Sequence, residues 1–546
     1  MKIFFINPPL KDLHFSRSQR SPGVIKSGTM YYPYWLAHSA ALCEKHGHEI
    51  NLLDCPADGV SREEMLLRID EFAADLVVMD TSTPSIVFDL QTVEAIRKNN
   101  ACKIALVGTH VTSEWHSCLQ QCDALDYIAV GEYDYTIVEL AEALEQQRTL
   151  VEVAGLAIRD EGKVVKNDTR LPIHDLDELP WIAPLYDRFL TPENYLFTIA
   201  RQPMVMLIGG RGCRAKCFYC VYPQVMHGHQ YRTRSLEHLV GEMKWIQENM
   251  PQVREIVFED DTFTADKKRA QEFAEIIKRE GITLPWFANI RTNTDRETLH
   301  ALKDAGLREC ATGFESGDDL ILANMRKGQT VEKQKSFMKN CRELGLLVHG
   351  CFMVGFPGET KETLQATLDL ALELNPDSAQ FYPVMPYPGT GAYQWAKDNN
   401  FLSTNNFEEW VDESGAHRCV LNLPDLSPQK LEEFCEYAFR KYHFRPKYLC
   451  RKILQAFSSP KEGKRSVNAG LNFIKSLFSR DQKHKTPTLP IHHADETWRH
   501  RIKVPHGRME EIELTLKQVK TQKIPIELLQ DQLRESESKT ERRKSA

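Results

Sequence analysis

Three closely spaced cysteines are the residues of this sequence best suited to chemistry. Cys213, Cys217 and Cys220 lie in the stretch GGRGCRAKCFYC, directly after the apolar run MVMLI. A structural zinc site closes with four ligands, and a four-iron cluster is usually held by four thiolates. Three thiolates would leave one iron open to a substrate, so the spacing favours a reactive metal centre. A zinc site completed by a distant ligand, or three unrelated core cysteines, are the alternatives.

Composition places the chain among ordinary globular proteins. It has 546 residues, 42% hydrophobic and 27% charged, with a net charge of -7. That length allows roughly two to four domains, and the acidic balance gives no reason to expect a nucleic-acid partner. No apolar run approaches the roughly 18 to 20 residues that a membrane helix needs. The first residues, MKIFFINPPLKD, turn polar too early for a signal peptide, so we expect a cytoplasmic protein.

Residues 1–150 alternate short apolar runs with segments of helical spacing, which predicts a doubly wound parallel sheet. The ligand of such a sheet lies at the carboxyl ends of its strands. These ends read NPP, TSTPS, GTH and VGEYD, and their small residues let a bulky ligand approach the backbone. No GxGxxG follows the first strand, which disfavours a dinucleotide. His110 on its own is more typical of a loop residue than of a ligand.

The remaining chain divides into four predicted parts. Residues 151–200 form a connector that begins with a short hairpin, and residues 201–400 contain six strand and helix units that predict a partial (β/α)6 barrel. The cysteine loop follows the first barrel strand, at the end where barrels carry their chemistry. Residues 401–480 form a mainly helical region, and residues 481–546 a charged, partly disordered tail.

The cysteine loop and the motifs after it resemble those of radical S-adenosylmethionine (radical SAM) enzymes. The loop reads CxxxCxxC with Tyr219 before its last cysteine, and FEDDTF, GFESG, GFPGET and PYPGT follow in order. Residues 1–150 resemble the cobalamin-binding domain that precedes the barrel in one large class of these enzymes. A closer likeness is to the hopanoid-biosynthesis-associated subgroup, through YYPYWLAHSAAL, TSTPS, DLDELPWIAPLYDR and YRTRSLEHLVGEMKW.

The resemblance implies three cofactors: a [4Fe-4S] cluster on the three cysteines, SAM and cobalamin. It implies SAM contacts from Tyr219, Asp260, Asp261, Arg291, Glu315, Ser316, Gly355, Phe356 and Pro357. Helix capping by Asp261 or Ser316, and a tight turn at 355–357, are the structural alternatives. The cobalamin contacts it implies are Asn7, Pro8, Ser82, Thr83, Gly108, His110, Gly131 and Glu132. The DxHxxG motif that supplies a cobalt-ligating histidine in many cobalamin proteins is missing, so His110 is not assigned that role.

The implied function is cleavage of SAM to a 5'-deoxyadenosyl radical, followed by methyl transfer or rearrangement at an unactivated carbon. The substrate would be small or lipid-like, a lipid-linked or other natural-product intermediate, and the electron donor a flavodoxin or ferredoxin. The alternatives are a non-methylating cyclase or ring-contraction enzyme of hopanoid side-chain maturation, and a binding or sensor protein with an iron-sulfur cluster. No catalytic residue is assigned. The basic aromatic stretch 437–478 suggests peripheral contact with an anionic membrane, although helices packed over the barrel mouth are favoured.

Overall fold

The computed structural model describes residues 1–25, 27–458 and 463, all within one compact unit. The end of the helical region predicted for 401–480 and the tail predicted for 481–546 therefore lie outside the described residues. Every cysteine of the sequence is described, and none forms a disulfide. Within the described residues, no helix combines the length and the apolar character needed to cross a bilayer.

The N-terminal domain is built on a seven-stranded sheet in the order β2-β1-β3-β4-β5-β6-β7. Strands β1 to β5 run parallel and are almost wholly buried, as apolar runs covered on both faces must be. The hairpin predicted in the connector adds β6 and β7 as antiparallel edge strands. The strands are β1 Lys2–Asn7, β2 Glu49–Asp54, β3 Leu76–Thr81, β4 Lys103–Gly108, β5 Tyr127–Ala129, β6 Leu156–Asp160 and β7 Lys163–Lys166. The predicted doubly wound sheet is confirmed.

Helices return the chain between these parallel strands. They are α1 Tyr34–Lys45, α2 Cys55–Asp58, α3 Arg62–Phe72, α4 Ile86–Asn99, α5 Thr109–Ser113, α6 Trp115–Gln121 and α7 Asp134–Glu145, with α8 Ala183–Phe189 in the connector. Short 3₁₀ turns lie at Thr83–Ser85, Leu176–Glu178 and Pro192–Asn194. The crossovers bring the carboxyl ends of β1, β3 and β4 to one edge, where a ligand site of such a sheet lies.

The second domain is a six-stranded parallel sheet in the order β15-β14-β13-β12-β11-β8, which confirms the predicted partial barrel. Its strands are β8 Met204–Leu207, β11 Glu255–Phe258, β12 Trp286–Asn289, β13 Leu307–Glu315, β14 Leu347–Val354 and β15 Ser378–Pro383. A small antiparallel pair, β9 Gly210–Arg211 and β10 Arg232–Thr233, lies on either side of the cysteine loop. All six carboxyl ends therefore face one mouth beside this loop.

The barrel helices pack outside the sheet, and several begin at a side-chain cap, for example Ser235, Asp266 and Thr360. They are α9 Val221–Val225, α10 Leu236–Asn249, α11 Lys267–Arg279, α12 Arg296–Asp304, α13 Asp319–Asn324, α14 Val331–Glu343, α15 Lys361–Leu374 and α16 Gly391–Asp398, followed by the 3₁₀ turn Phe407–Trp410, α17 Pro428–His443 and α18 Pro446–Ser458. Helix α17 packs along the edge strand β15. Helix α17 thus covers the edge of the sheet at β15.

A buried ion-pair network joins the two domains. Glu132, after β5, accepts hydrogen bonds from Arg232 on β10 and lies 2.9 Å from His227 Nδ1. Asp134, at the start of α7, accepts hydrogen bonds of 2.6 and 3.1 Å from Arg211 on β9. All five side chains are at most 4% exposed. Burial alone would raise the pKa of Glu132, but the bonds from His227 and Arg232 and the charge of Arg211 hold it well below its usual range.

Replacing Glu132 with glutamine should destabilise the folded protein strongly. The change leaves the Arg232 guanidinium buried without its counter-charge, and breaking one partner of such a pair costs about 3 to 5 kcal/mol. The free energy of unfolding, measured by urea denaturation, should fall by that amount. Glu64→Gln is the matched control: its partner Arg68 and Glu64 itself are both more than 40% exposed, and its cost should stay below about 1 kcal/mol. Equal costs for the two variants would contradict the role given to the network.

Candidate active site

The cysteine loop lies between β9 and α9 at the barrel mouth. Cys213 and Cys217 are buried and Cys220 is half-buried. The Gln224 amide donates hydrogen bonds of 2.9 to 3.1 Å to the carbonyl oxygens of Cys217, Phe218 and Cys220. Gly212 has a φ of +84°, and a Cβ there would lie 2.2 Å from a backbone oxygen. Gln224 and Gly212 therefore fix the conformation of the cysteine loop.

The surroundings of the thiols suit a cluster better than a single metal ion. Burial raises the pKa of Cys220, and Asp261, Cys217 and Cys213 raise it further while Arg20 opposes them. The described residues contain no group of three or more His, Cys, Asp or Glu side chains arranged around one ion. A four-iron cluster takes one thiolate per iron, so its ligands need not meet at one point. The three thiols are thus a fitting donor set for a cluster.

Two carboxylates at strand ends of the barrel keep one oxygen without a partner. Glu315 lies at the mouth, beside Tyr219 and Lys327, whereas the Asp260 carboxylate lines a small pocket under α10 and α11. Asp260 Oδ2, after β11, accepts a hydrogen bond of 2.8 Å from the Gly209 amide, while its Oδ1 is buried with no partner. Glu315 ends β13 with a φ of +65°, a strained conformation for a residue with a side chain. Its Oε1 accepts hydrogen bonds from Tyr219 and Lys327, and its Oε2 is buried with no partner. Buried acceptors of this kind fit the ammonium and ribose hydroxyls of SAM.

The other predicted SAM residues lie around this mouth in mixed roles. Asp261 pairs with Arg20, and the Arg291 guanidinium bonds to the Lys327 carbonyl while lying 4.0 Å from Cys217 Sγ. Ser316 Oγ accepts a hydrogen bond from the Asp318 amide and lies 3.2 Å from Thr367 Oγ1. The capping alternative was wrong for both Asp261 and Ser316, because Asp318 caps α13 and Asp266 caps α11.

The stretch 355–357 is a turn that touches the cysteine loop. Gly355 has a φ of +95° and the Pro357 carbonyl accepts a hydrogen bond from Asn324. The Phe356 ring lies edge-on to Tyr219, with ring centroids 5.3 Å apart. The turn alternative and an apolar wall for a ligand are therefore compatible here, and the SAM contacts stay predictions.

A second cavity lies where the carboxyl edge of the N-terminal sheet meets the barrel. Its lining comes from both domains: Arg17, Ser18, Trp35, Asp80, Thr81, Gly108, Thr109 and Tyr133, with Tyr222 and Met226 from the helix after the cysteine loop. Trp35 Nε1 and the Tyr133 hydroxyl are buried there without a hydrogen-bond partner. Burial raises the pKa of Asp80 to about 7. The cavity has an empty volume of about 250 Å³, which admits the edge of a ligand and not a whole corrin ring. Its aromatic walls and unpaired polar atoms are suitable contacts for that edge and its amide side chains.

Glycine is required at one point of this cavity. Gly108, at the end of β4, has a φ of +114°, and a Cβ there would lie 2.4 Å from the Thr81 carbonyl oxygen. The backbone can reach this conformation and this close approach only without a side chain.

Among the predicted cobalamin residues, Gly108 alone lines the described cavity. Asn7 and Pro8 bind Arg17, Ser82 and Thr83 form a capped 3₁₀ turn, the Gly131 amide binds Thr112, and Glu132 belongs to the domain interface. His110 is buried, 3.1 Å from Thr83 Oγ1, and burial lowers its pKa to about 3. These residues support the strand ends, and their contact with cobalamin stays a prediction.

Sequence reasoning missed most of the cavity wall. Asp80 and Tyr133 each lie within two positions of a predicted residue, and Tyr222 lies two positions after Cys220. Their closeness to a strand end or to the cysteine loop could therefore have identified them as residues of the cavity wall. Arg17 and Trp35 belong to a long loop and a helix start, and no pattern in the sequence distinguishes them.

Comparison with known protein families agrees with this geometry. Residues 207–371 match the family described as the Radical SAM superfamily, and residues 20–141 match the B12 binding domain. An uncharacterized methyltransferase, PH0819, of Pyrococcus horikoshii is 31% identical over 83% of this chain and 95% of its own length. This chain belongs to the cobalamin-dependent radical SAM enzymes.

Further relatives of this cobalamin-dependent radical SAM enzyme are similar over most of their length. The anaerobic magnesium-protoporphyrin IX monomethyl ester cyclase of Rubrivivax gelatinosus is 26% identical over 88% of this chain and 83% of its own. The solved structure of the methyltransferase TsrM from Kitasatospora setae, with cobalamin and a [4Fe-4S] cluster bound, gives a TM-score of 0.62. It is 18% identical and covers 81% of this chain and 88% of the other, so it shows the shared fold.

In this enzyme Cys213, Cys217 and Cys220 are the residues that would hold the cluster, and helix α9 after them lines the cavity at the edge of the cobalamin domain. When bound, the [4Fe-4S] cluster supplies the electron that cleaves SAM to methionine and a 5'-deoxyadenosyl radical, and cobalamin supplies cobalt chemistry at the same substrate. The protein's own part is to orient these groups and to exclude water from the reacting atoms.

Substitution of Gly108 by alanine should abolish stoichiometric cobalamin binding. The added methyl would meet the Thr81 carbonyl and push the β4 end into the cavity. Gly59→Ala is the matched control, because Gly59 has a φ of +66° but open space around it. The measurement is cobalamin bound per chain, from absorbance after desalting, with cluster content as the check on folding. Full cobalamin binding by Gly108→Ala with an intact cluster would show that the cavity is not the corrin site.

Proposed function

We propose that this enzyme transfers a methyl group to an unactivated carbon of a lipid-linked or other natural-product intermediate. One observation carries the proposal: Tyr222 and Met226 line the corrin cavity and lie within six residues of Cys220. The intervening helix α9 has only five residues. A corrin ring in that cavity and SAM at the cluster would therefore face the same small volume. This is what a substrate carbon needs in order to lose a hydrogen atom and gain a methyl group at one position.

Polar and aromatic side chains gather at the barrel mouth, where the substrate would bind. Burial raises the pKa values of Tyr31 and Tyr382, and both rings lie near Cys351. Their hydroxyls stay protonated at neutral pH and can donate hydrogen bonds. Glu259 lies in the same mouth and accepts hydrogen bonds from Arg20 and Asn289. These side chains support a substrate that has apolar surface and several oxygen functions.

Methyl transfer is preferred to cyclisation because PH0819, the relative similar over 95% of its length, is named a methyltransferase. The cyclase of Rubrivivax gelatinosus supports the second candidate, ring formation without added carbon. Assignment to hopanoid side-chain maturation rests on the sequence likeness alone and stays a prediction.

We expect anaerobic turnover to give 5'-deoxyadenosine and S-adenosylhomocysteine together, both dependent on cobalamin. The assay uses the reconstituted, reduced full chain with SAM, hydroxocobalamin and a lipid extract of the host, and counts both products by chromatography. If 5'-deoxyadenosine forms without S-adenosylhomocysteine, no methyl group has been transferred, and the reaction is a rearrangement or a cyclisation. Neither product from a cluster-loaded protein would contradict the enzyme assignment. Cys217→Ala should lose both products, whereas Cys43→Ala, a thiol buried in α1, should keep them.

The enzyme's setting follows from its chemistry. A cluster with one open iron requires a reducing compartment, and the eleven further cysteines form no disulfide, so we propose the cytoplasm. The one-electron donor is proposed to be a flavodoxin or a ferredoxin, since the open cluster needs a low-potential reductant.

We also propose weak contact with an anionic membrane surface through α18. Ile453, Leu454 and Phe457 are 56%, 69% and 83% exposed on this helix, with basic Lys447 and Arg451 on the same helix. Leu454→Glu should reduce co-sedimentation with vesicles of phosphatidylcholine and phosphatidylglycerol several-fold. Leu171→Glu, at a side chain 83% exposed in the connector, is the control and should bind like the wild type. No binding by the wild-type protein would refute the contact.

A further inference from the structure

Loop 16–23 is a closed unit between the two domains. Ser16 and Gly23 exchange backbone hydrogen bonds of 3.1 and 3.3 Å across its base. The Gln19 side-chain amide donates to both of their carbonyl oxygens, at 3.2 Å each. With its base and its centre pinned in this way, the loop can shift only as a whole.

One side of the loop forms part of the corrin cavity. Arg17 and Ser18 line it. The Arg17 guanidinium is fully buried and donates hydrogen bonds to Asn7 Oδ1 at 2.9 Å and to Asp89 Oδ1 at 2.7 Å. The Ser18 hydroxyl lies 3.3 Å from Asp80 Oδ2 on the opposite wall. A ligand that fills the cavity therefore contacts the loop directly.

The other side of the loop holds the strand end that faces the SAM position. Arg20 donates one hydrogen bond of 2.9 Å to Glu259 Oε2. Its second nitrogen donates to the Glu259 and Asp260 carbonyl oxygens, at 3.1 and 3.0 Å, and to Asp261 Oδ1 at 3.3 Å. The backbone fixed in this way runs on to Thr262, whose hydroxyl lies 3.5 Å from Cys213 Sγ.

Ser18 and Arg20 are two residues apart, so their Cα atoms lie within about 7 Å of each other. Because the loop shifts only as a whole, a ligand seated against Ser18 in the cavity also fixes the position of Arg20 and of the strand end that it holds. A second ligand that needs the same ordered strand end then binds at a lower entropic cost.

We propose that loop 16–23 couples the two cofactor sites, with Arg20 as a positioning residue that sets the SAM-facing strand end when the corrin cavity is filled. The proposal rests on the site assignments of the proposed function. It predicts positive cooperativity: cobalamin tightens SAM binding, and SAM tightens cobalamin binding by the same factor. The enzyme would thereby hold SAM firmly only when its second cofactor is in place.

The test compares SAM dissociation constants with and without saturating hydroxocobalamin. Equilibrium dialysis with radiolabelled SAM is done on the cluster-loaded full chain. We expect cobalamin to lower the wild-type constant at least about fivefold, within the usual range of coupling between sites. In Arg20→Ala and Ser18→Ala the ratio should fall to near one. Ser21→Ala should keep the wild-type ratio, because Ser21 binds Tyr387 and His417 rather than either site.

A wild-type ratio of one, or an unchanged ratio in both Arg20→Ala and Ser18→Ala, would overturn the coupling. If Arg20→Ala fails to hold its cluster, Ser18→Ala decides, since it leaves every barrel contact of Arg20 in place. Failure of the proposed function has a different signature: the cluster-loaded wild-type protein would then bind no SAM or no cobalamin at all.

Discussion

The buried ion pairs between Glu132, Asp134, Arg211 and Arg232 are the contact on which the arrangement of this enzyme depends. The two arginines belong to β9 and β10, on either side of the cysteine loop, and the two carboxylates follow the last parallel strand of the cobalamin domain. A charge buried at such an interface is costly unless its partner is met in good geometry. Any other docking of the two domains would leave these charges unpaired, so the network selects one arrangement.

That arrangement places the cysteine loop beside the carboxyl edge of the cobalamin domain. Tyr222 and Met226, which follow Cys220, line the cavity at this edge together with Asp80, Gly108 and Tyr133. At the barrel mouth, Glu315 keeps one buried oxygen without a partner. Burial strengthens every polar contact there and excludes water from the radical chemistry. The barrel fold brings the carboxyl ends of its strands to one mouth, and the interface between the domains places the cobalamin domain beside that mouth.

Periodicity and spacing predicted the large features well. Parallel strands that are buried on both faces can be recognised in the sequence as apolar runs. The spacing of the three cysteines indicates a metal centre. The fine placement was beyond the sequence, because the chain leaves the regular strand geometry where the strand ends. Asp80 and Thr81 line the cavity, whereas Ser82 caps the 3₁₀ turn that follows. Glu132 meets its partner Arg232 at a separation of 100 residues, which no local pattern encodes.

The most direct test of this account is whether the cluster and the cobalt are close enough to interact magnetically. Electron paramagnetic resonance of the cob(II)alamin-loaded protein can be recorded with the cluster oxidised and then reduced. A corrin one short helix away from Cys220 predicts a cobalt signal that is broadened and relaxes faster when the cluster becomes paramagnetic, and Cys220→Ala should remove the effect. A cobalt signal that is unchanged by reduction of an intact cluster would contradict the proposal that the two cofactors face the same small volume.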